Sequence, residues 1–184
     1  MVFGKHVGSP NPTGKLRVVH VQSWKPRPGL RVSVEAVEDA ILKVHRRFRL
    51  ALLAYDPWQS EYLAERLRKQ KICTREVNFT PSNLQAMATV TIEAFSERMI
   101  ELYSHDELLS DLRSLRVVEK SYGWRLDPVR DGSGHGDRAV ALSLALMAAK
   151  EITRDPNVSW GGCIWTSDGT IGGRRFGAPT YRAG

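Results

Sequence analysis

Asp56 and Asp137 stand where their type and surroundings suit metal chemistry. Asp56 ends the apolar run Leu50 to Tyr55, just before Pro57, and Asp137 opens the apolar segment AVALSLALMAAK after the loop GSGHG. In folds that alternate strands and helices, ligands gather at the carboxyl ends of strands and at helix N-termini. Carboxylates at those two places can converge on a divalent cation, a hard ion that takes oxygen ligands. Each aspartate also has a plainer role open to it: Asp56 as a turn residue, Asp137 as a helix cap or a partner of the helix dipole. GSPNPTGKL resembles a phosphate-binding loop, but Gly8 and Gly14 are one residue too far apart and Leu16 replaces the Ser or Thr that holds Mg²⁺. No ATPase motif is visible. Cys73 and Cys163 form no Cys-x-x-Cys or Cys/His cluster, so neither a disulfide framework nor a structural zinc is expected, and both read as reduced thiols.

The elements that must position the aspartates are legible in the pattern. The chain has 184 residues, 42% of them hydrophobic and 26% charged, which is enough for one packed core and excludes wholesale disorder. No apolar run approaches the roughly 18 residues needed to cross a bilayer, and the amino end lacks the apolar stretch of a signal peptide, so a cytoplasmic protein is expected. The net charge of +7 suits an anionic partner. Val2-Phe3 and KLRVVHVQSW flank a Gly/Pro/Asn loop and predict a hairpin. Ser33 can cap a helix over Val34 to Arg47 with Val34, Val37, Ile41, Val44 and Phe48 on one face. The basic residues at the end of that helix read as a solvated terminus that complements the dipole. Leu50 to Tyr55 predicts a strand buried on both faces, Gln59 to Gln70 a helix, and Ile72 to Phe79 a strand. Thr80-Pro81 opens a third helix, and Ser104 with Glu107 forms a capping-box pattern ahead of Leu108 to Leu115. Arg116 to Lys120 and Trp124 to Leu126 predict a second hairpin. The segment from Asp137 is apolar nearly all round, as expected of a helix sandwiched in the core. The spacing gives an α/β domain over 1–154 and an irregular, Gly-rich basic tail over 155–184, which holds Arg174, Arg175 and Arg182.

Three blocks in order, AYDPWQSEYLAERLRK, VNFTPSNLQAMATVTIEAFSERMIELY and DELLSDLRSLRVVEKSYGWRLDPVRDGSGHGDRAVALSLAL, resemble the nuclease domain of the large terminase subunit of tailed bacteriophages. The D-x-x-Q block at Asp56 and the H-G-D-x-x-x-A block at His135 to Ala141 are its most specific parts. The resemblance implies a ribonuclease-H-like mixed central sheet flanked by helices and a metal-dependent endonuclease that cuts double-stranded DNA during genome packaging. It implies two Mg²⁺ or Mn²⁺ ions held by three acids, of which Asp56 matches the second and Asp137 the third. Two such ions, about 3.5 to 4 Å apart, activate a water and stabilise the leaving oxygen. His135 and Asp131 lie beside this block as accessory groups for proton transfer or as plain loop residues. The implied partners are double-stranded DNA and, in a longer parent, an ATPase motor domain, the small terminase subunit and the portal, all in the bacterial host cytoplasm and none in a membrane.

The chain departs from the family at its amino end. The family's first acid lies on the first strand, whereas the first acid here is Glu35, already on the first helix. Met1 to Phe3 therefore resembles the end of a truncated first strand, with the missing ligand upstream of Met1, and weak or metal-demanding activity is expected. An open sheet edge would also favour pairing with a second copy. DNA contacts are expected from loop cations near the acids, Arg130 and Arg138, and from Lys120 and Arg125 on the second hairpin, where Trp124 can instead pack on the core. Two rivals remain at this point: a catalytically silent DNA-binding or assembly remnant of a prophage terminase, and another ribonuclease-H-like nuclease such as a junction resolvase.

Overall fold

Strands and helices alternate as the residue pattern predicts. The structure is a computed structural model that describes residues 2–4, 15–24, 32–58, 60–128 and 136–154. β1 (Val2–Gly4) pairs antiparallel with β2 (Leu16–Val21), which is the first hairpin. α1 (Val34–Phe48) begins at its cap signal: Ser33 Oγ accepts the backbone N–H of Ala36 at 3.2 Å. Its apolar stripe buries Ala40, Ile41 and Val44, and Arg49, with φ 48°, ends it. β3 (Leu53–Tyr55) and β4 (Thr74–Glu76) run parallel and are joined by α2 (Glu61–Lys69). Both strands are shorter than the apolar runs that predict them, and only Leu53 of β3 is buried. The pairing nevertheless reaches past their ends, through Leu53 N–H to Cys73 O at 2.8 Å and Val77 N–H to Tyr55 O at 2.9 Å.

α3 (Pro81–Ser96) starts on Thr80, whose Oγ1 accepts the N–H of Asn83 at 3.3 Å, with Pro81 where a missing N–H costs nothing. β5 (Ile100–Glu101), two residues long and parallel to β2, is too short to show a period in the sequence. The cap expected at Ser104 is instead at His105: its Nδ1 accepts the N–H of Leu108 at 3.3 Å, so α4 (Asp106–Ser114) starts one residue later than the capping-box pattern suggests. β6 (Arg116–Lys120) and β7 (Gly123–Asp127) form the second hairpin. Gly123, at φ 113°, lies so close to α3 that a Cβ would sit 2.6 Å from Gln85 Nε2. α5 (Asp137–Arg154) is the long helix predicted from the apolar segment.

The pairing is mixed, as expected, but a single central sheet is not what the described residues form. The strands fall into three sheets, β1-β2-β5, β3-β4 and β6-β7. Strands of two or three residues make few ladder bonds, so the long helix does the joining: α5 lies against both β1 and β3. One core gathers Val18, Val21, Val77, Met87, Val90, Leu108, Leu142 and Met147 from β2, α3, α4, α5 and the end of β4. A smaller one gathers Ile41, Val44, Leu53, Leu67 and Ile72 from α1, α2 and the β3–β4 pair. Between α3 and α5, buried Thr91 Oγ1 lies 2.8 Å from Met87 O and 2.9 Å from Ser143 Oγ, which in turn lies 2.9 Å from Ala139 O. Two hydroxyl protons can make two of those three contacts at a time, so a hydrogen bond crosses between α3 and α5 when one hydroxyl turns from its own helix's carbonyl to its partner. Cys73 is disulfide-bonded, which corrects the reduced thiol expected there, since distance along a chain does not bound distance in space; Cys163 and the tail 155–184 lie outside the described residues. Among the described residues no helix is long and apolar enough to cross a membrane.

Candidate functional site

The start of α5 is held from several sides. Gly136, buried and at φ 66°, gives its carbonyl to the first helical bond, accepting Val140 N–H at 3.1 Å. A Cβ there would fall 2.4 Å from Pro128 Cβ. Only glycine fits this position, for both its backbone angle and its contact. Next to Asp137, Arg138 reaches back to α4: Nη2 donates to Glu107 Oε2 at 2.6 Å and Nη1 lies 3.3 Å from Asp111 Oδ2. The same Asp111 Oδ2 accepts the backbone N–H of Arg138 at 3.2 Å, so α4 caps α5. A further bond runs from Arg138 Nη2 to Ser23 Oγ at 3.3 Å, just beyond β2. This clamp aims Asp137 outward: it is exposed, on the positive end of the α5 dipole, where a carboxylate is favoured.

Asp56 is held more lightly. It follows β3 directly and is half-buried, and its Oδ1 accepts the N–H of Trp58 at 3.2 Å, an Asx-turn that redirects the chain into α2. The turn leaves Trp58 78% exposed, with Tyr62 also in solvent. The plainer expectation for Asp56, a turn residue, is therefore met, and its second carboxylate oxygen makes no hydrogen bond among the described residues.

α5 packs on β3, so the helix that starts with Asp137 and the strand that ends at Asp56 are neighbours. No hydrogen bond joins the two carboxylates, and among the described residues no three His, Cys, Asp or Glu side chains form a metal-binding group. In kind the donors suit a hard divalent ion; in number the described residues supply two. Asp131, His135 and Arg130 lie outside the described residues. Arg138, expected to meet DNA, is instead the α4–α5 clamp, its side chain 12% exposed. Glu107 and Asp111, four apart on one face of α4, are the sequence signal for that clamp. Lys120 is exposed on β6; Arg125 is half-buried, with its Nε buried and lacking an acceptor among the described residues. Trp124 is exposed, so it does not pack into the core.

No family model matches the chain, and no curated protein does. Solved structures do. The large terminase nuclease of the thermophilic phage G20c is similar at TM-score 0.51 and 18% identity, over 63% of this chain and 62% of that one. The nuclease domain of the Thermus phage P74-26 large terminase is similar at TM-score 0.50 and 18% identity, over 63% and 60%. The HK97 bacteriophage large terminase is similar at TM-score 0.53 and 17% identity, over 64% of this chain and 25% of that one. The chain thus spans less than two thirds of the length of each. Other structures of the G20c nuclease carry magnesium and cobalt. The chain's mixed α/β fold is similar to that of phage large terminase nuclease domains.

Proposed function

We propose that the chain is a ribonuclease-H-like nuclease of the phage terminase type, a divalent-metal-dependent endonuclease of double-stranded DNA that acts in genome packaging. The observation that carries this reading is the likeness of the fold to terminase nucleases, with Asp56 directly after β3 and Asp137 opening the helix packed on β3. Asp56 and Asp137 would hold Mg²⁺ or Mn²⁺, which supplies Lewis-acid activation of water and of the scissile phosphate when bound. The chain's own part is positioning. Gly136 and the Arg138 clamp fix where Asp137 projects, and the Asx-turn at Trp58 leaves one Asp56 oxygen for a cation. Lys120, exposed on β6, would meet backbone phosphate, a contact that positions DNA without reading sequence. In a longer parent the partners would be an ATPase motor domain, the small terminase subunit and the portal, in the cytoplasm of the bacterial host.

The described residues offer two candidate ligands, fewer than a two-metal site requires, and this supports weak or metal-demanding activity. It also favours a second reading, a silent DNA-binding module with the nuclease scaffold. Nicking of supercoiled plasmid in Mn²⁺ and in Mg²⁺, by the parent chain beside Asp56→Ala and Asp137→Ala, separates the two. Nicking abolished in both variants supports the nuclease. Equal nicking in parent and variants removes Asp56 and Asp137 from the site, and a folded parent that never nicks supports the silent module.

A further inference from the structure

A cleft of about 470 Å³ opens between β2 and α1, lined by His20 and Trp24 on one side and by Asp39, Lys43, Arg47 and Phe48 on the other. That volume is in the usual range for small-molecule sites, about 300 to 1,000 Å³. Trp24 and Phe48 are half-buried in it, and the Arg47 guanidinium lies over the Phe48 ring, 5.1 Å from its centroid. Lys43 and Arg47 line the cleft, and with Arg46 and Arg49 they make four cations within seven positions at the end of α1. Among the described residues none of the four pairs with an acid. A helix C-terminus carries about half a negative charge, so it favours a cation or so in its last turn but does not account for four. An unneutralised cluster beside an aromatic-walled cleft has the makeup of a site for an anion that also carries a planar ring.

We propose that this cleft binds a nucleotide of single-stranded DNA, with its base against Trp24 and Phe48 and the flanking phosphates on Lys43 and Arg47. A paired base presents only its edges in a groove, whereas an unpaired one presents the face that an aromatic ring can stack on, and that is why the ligand is single-stranded. Asp39, one turn before Lys43 on the cleft wall, supplies an acceptor for a base N–H, such as the N3–H of thymine. The proposal shares with the nuclease reading only the premise that the partner is DNA. It uses none of Asp56, Asp137 or the metal.

The test is fluorescence anisotropy of labelled oligo-dT and of a labelled duplex hairpin with the full chain in EDTA, over a series of KCl concentrations. Lys43→Gln combined with Arg47→Gln is expected to weaken oligo-dT binding about tenfold and to lower the log–log salt slope by about 1.4, or about 0.7 for each phosphate left without its cation. Trp24→Leu is expected to weaken it about fivefold or more by removing the stacking surface and to leave the slope unchanged. Should Trp24→Leu fail to fold by circular dichroism, the Lys43/Arg47 variant, altered only at the surface, still decides. Oligo-dT binding within twofold of the parent in the variants overturns the proposal. So does a loss of duplex binding as large as the loss for oligo-dT, which would make the cluster a plain backbone patch. Because EDTA removes cleavage from the assay, a failed nuclease and a failed cleft give different results.

Discussion

The core around α5 draws residues from β2, α3, α4 and α5, whereas the core around α1 draws five buried residues from two helices and the short β3–β4 pair. Each half holds one of the two aspartates and one ion pair with a shielded acid. On the α5 side, Arg138 and Asp111 are both shielded, at 12% and 13% side-chain exposure. On the α1 side, Glu38 is shielded at 9% but its partner Arg66 is 39% exposed, 2.6 Å away and stacked on Tyr62. Asp137 is therefore fixed by a glycine, a clamp and a helix dipole together, while Asp56 is fixed by one backbone N–H. In the proposed site, the difference divides the work between a rigid element that sets direction and a lighter one that leaves an oxygen free.

The largest effect that tests this contrast belongs to Arg138→Met. It leaves Asp111 shielded without its cation, and breaking such a buried pair costs about 3 to 5 kcal/mol in urea unfolding. Adding Asp111→Asn to the same chain should recover part of that loss, because the stranded charge is gone. Gly136→Ala comes next, at about 1 to 3 kcal/mol, from the left-handed backbone and the contact with Pro128. Nicking should fall with it, since Asp137 shifts. On the α1 side, Arg66→Ala should cost less than Arg138→Met, because water reaches the guanidinium and screens the pair. A loss at Arg66 equal to that at Arg138 would erase the contrast between the halves.

Asp56 separates chemistry from stability. Asp56→Asn keeps an amide oxygen for the Trp58 N–H, so unfolding should move by less than about 0.5 kcal/mol, while nicking should be abolished because a neutral amide is a poor cation ligand. Thermal unfolding and plasmid nicking of the one variant check both halves of this expectation. A large drop in stability with nicking retained would assign Asp56 to the turn alone.

How much of the molecule is legible in the sequence differs from element to element. α1, α3 and the second hairpin carry their own signals, Ser33, Thr80-Pro81 and the Ser121-Tyr122-Gly123 turn, and each sits where those residues put it, while β1 and β2 pair as expected. The start of α4 falls one residue away from its expected place because a histidine nitrogen acts as the cap, a use that propensity rules do not weight. The division into three sheets is not legible either: apolar runs such as Leu50 to Tyr55 report burial, and burial does not say how many residues join a ladder. Asp56 and Asp137 are legible as positions, since a strand end and a helix start follow from local pattern. The Arg138 clamp is not, because it depends on which face of α4 meets α5. The cleft beside α1 is hidden for the same reason, since a cation at a helix end looks the same in sequence whether it faces open water or a ring.

The smallest effect concerns pH, and it tests the lighter half from within. His45 lies in the last turn of α1, with Nδ1 buried and lacking a hydrogen-bond partner among the described residues. Burial, and then the neighbouring charge of Arg49, holds its pKa below the ordinary imidazole value. The folded chain thus keeps His45 neutral at a pH where the unfolded chain, titrating near about 6.5, already binds a proton. Stability from this group is complete above that value and is lost as pH falls from there through the lower, folded pKa. His45→Gln removes the titration, so its urea midpoint should fall less than the parent's between neutral pH and about pH 5, while carboxylate effects common to both chains cancel in the difference. Parallel pH curves for parent and variant would mean that the end of α1 opens to water easily enough to protonate His45 while folded. The α1 half would then be looser than its buried Ile41 and Val44 imply.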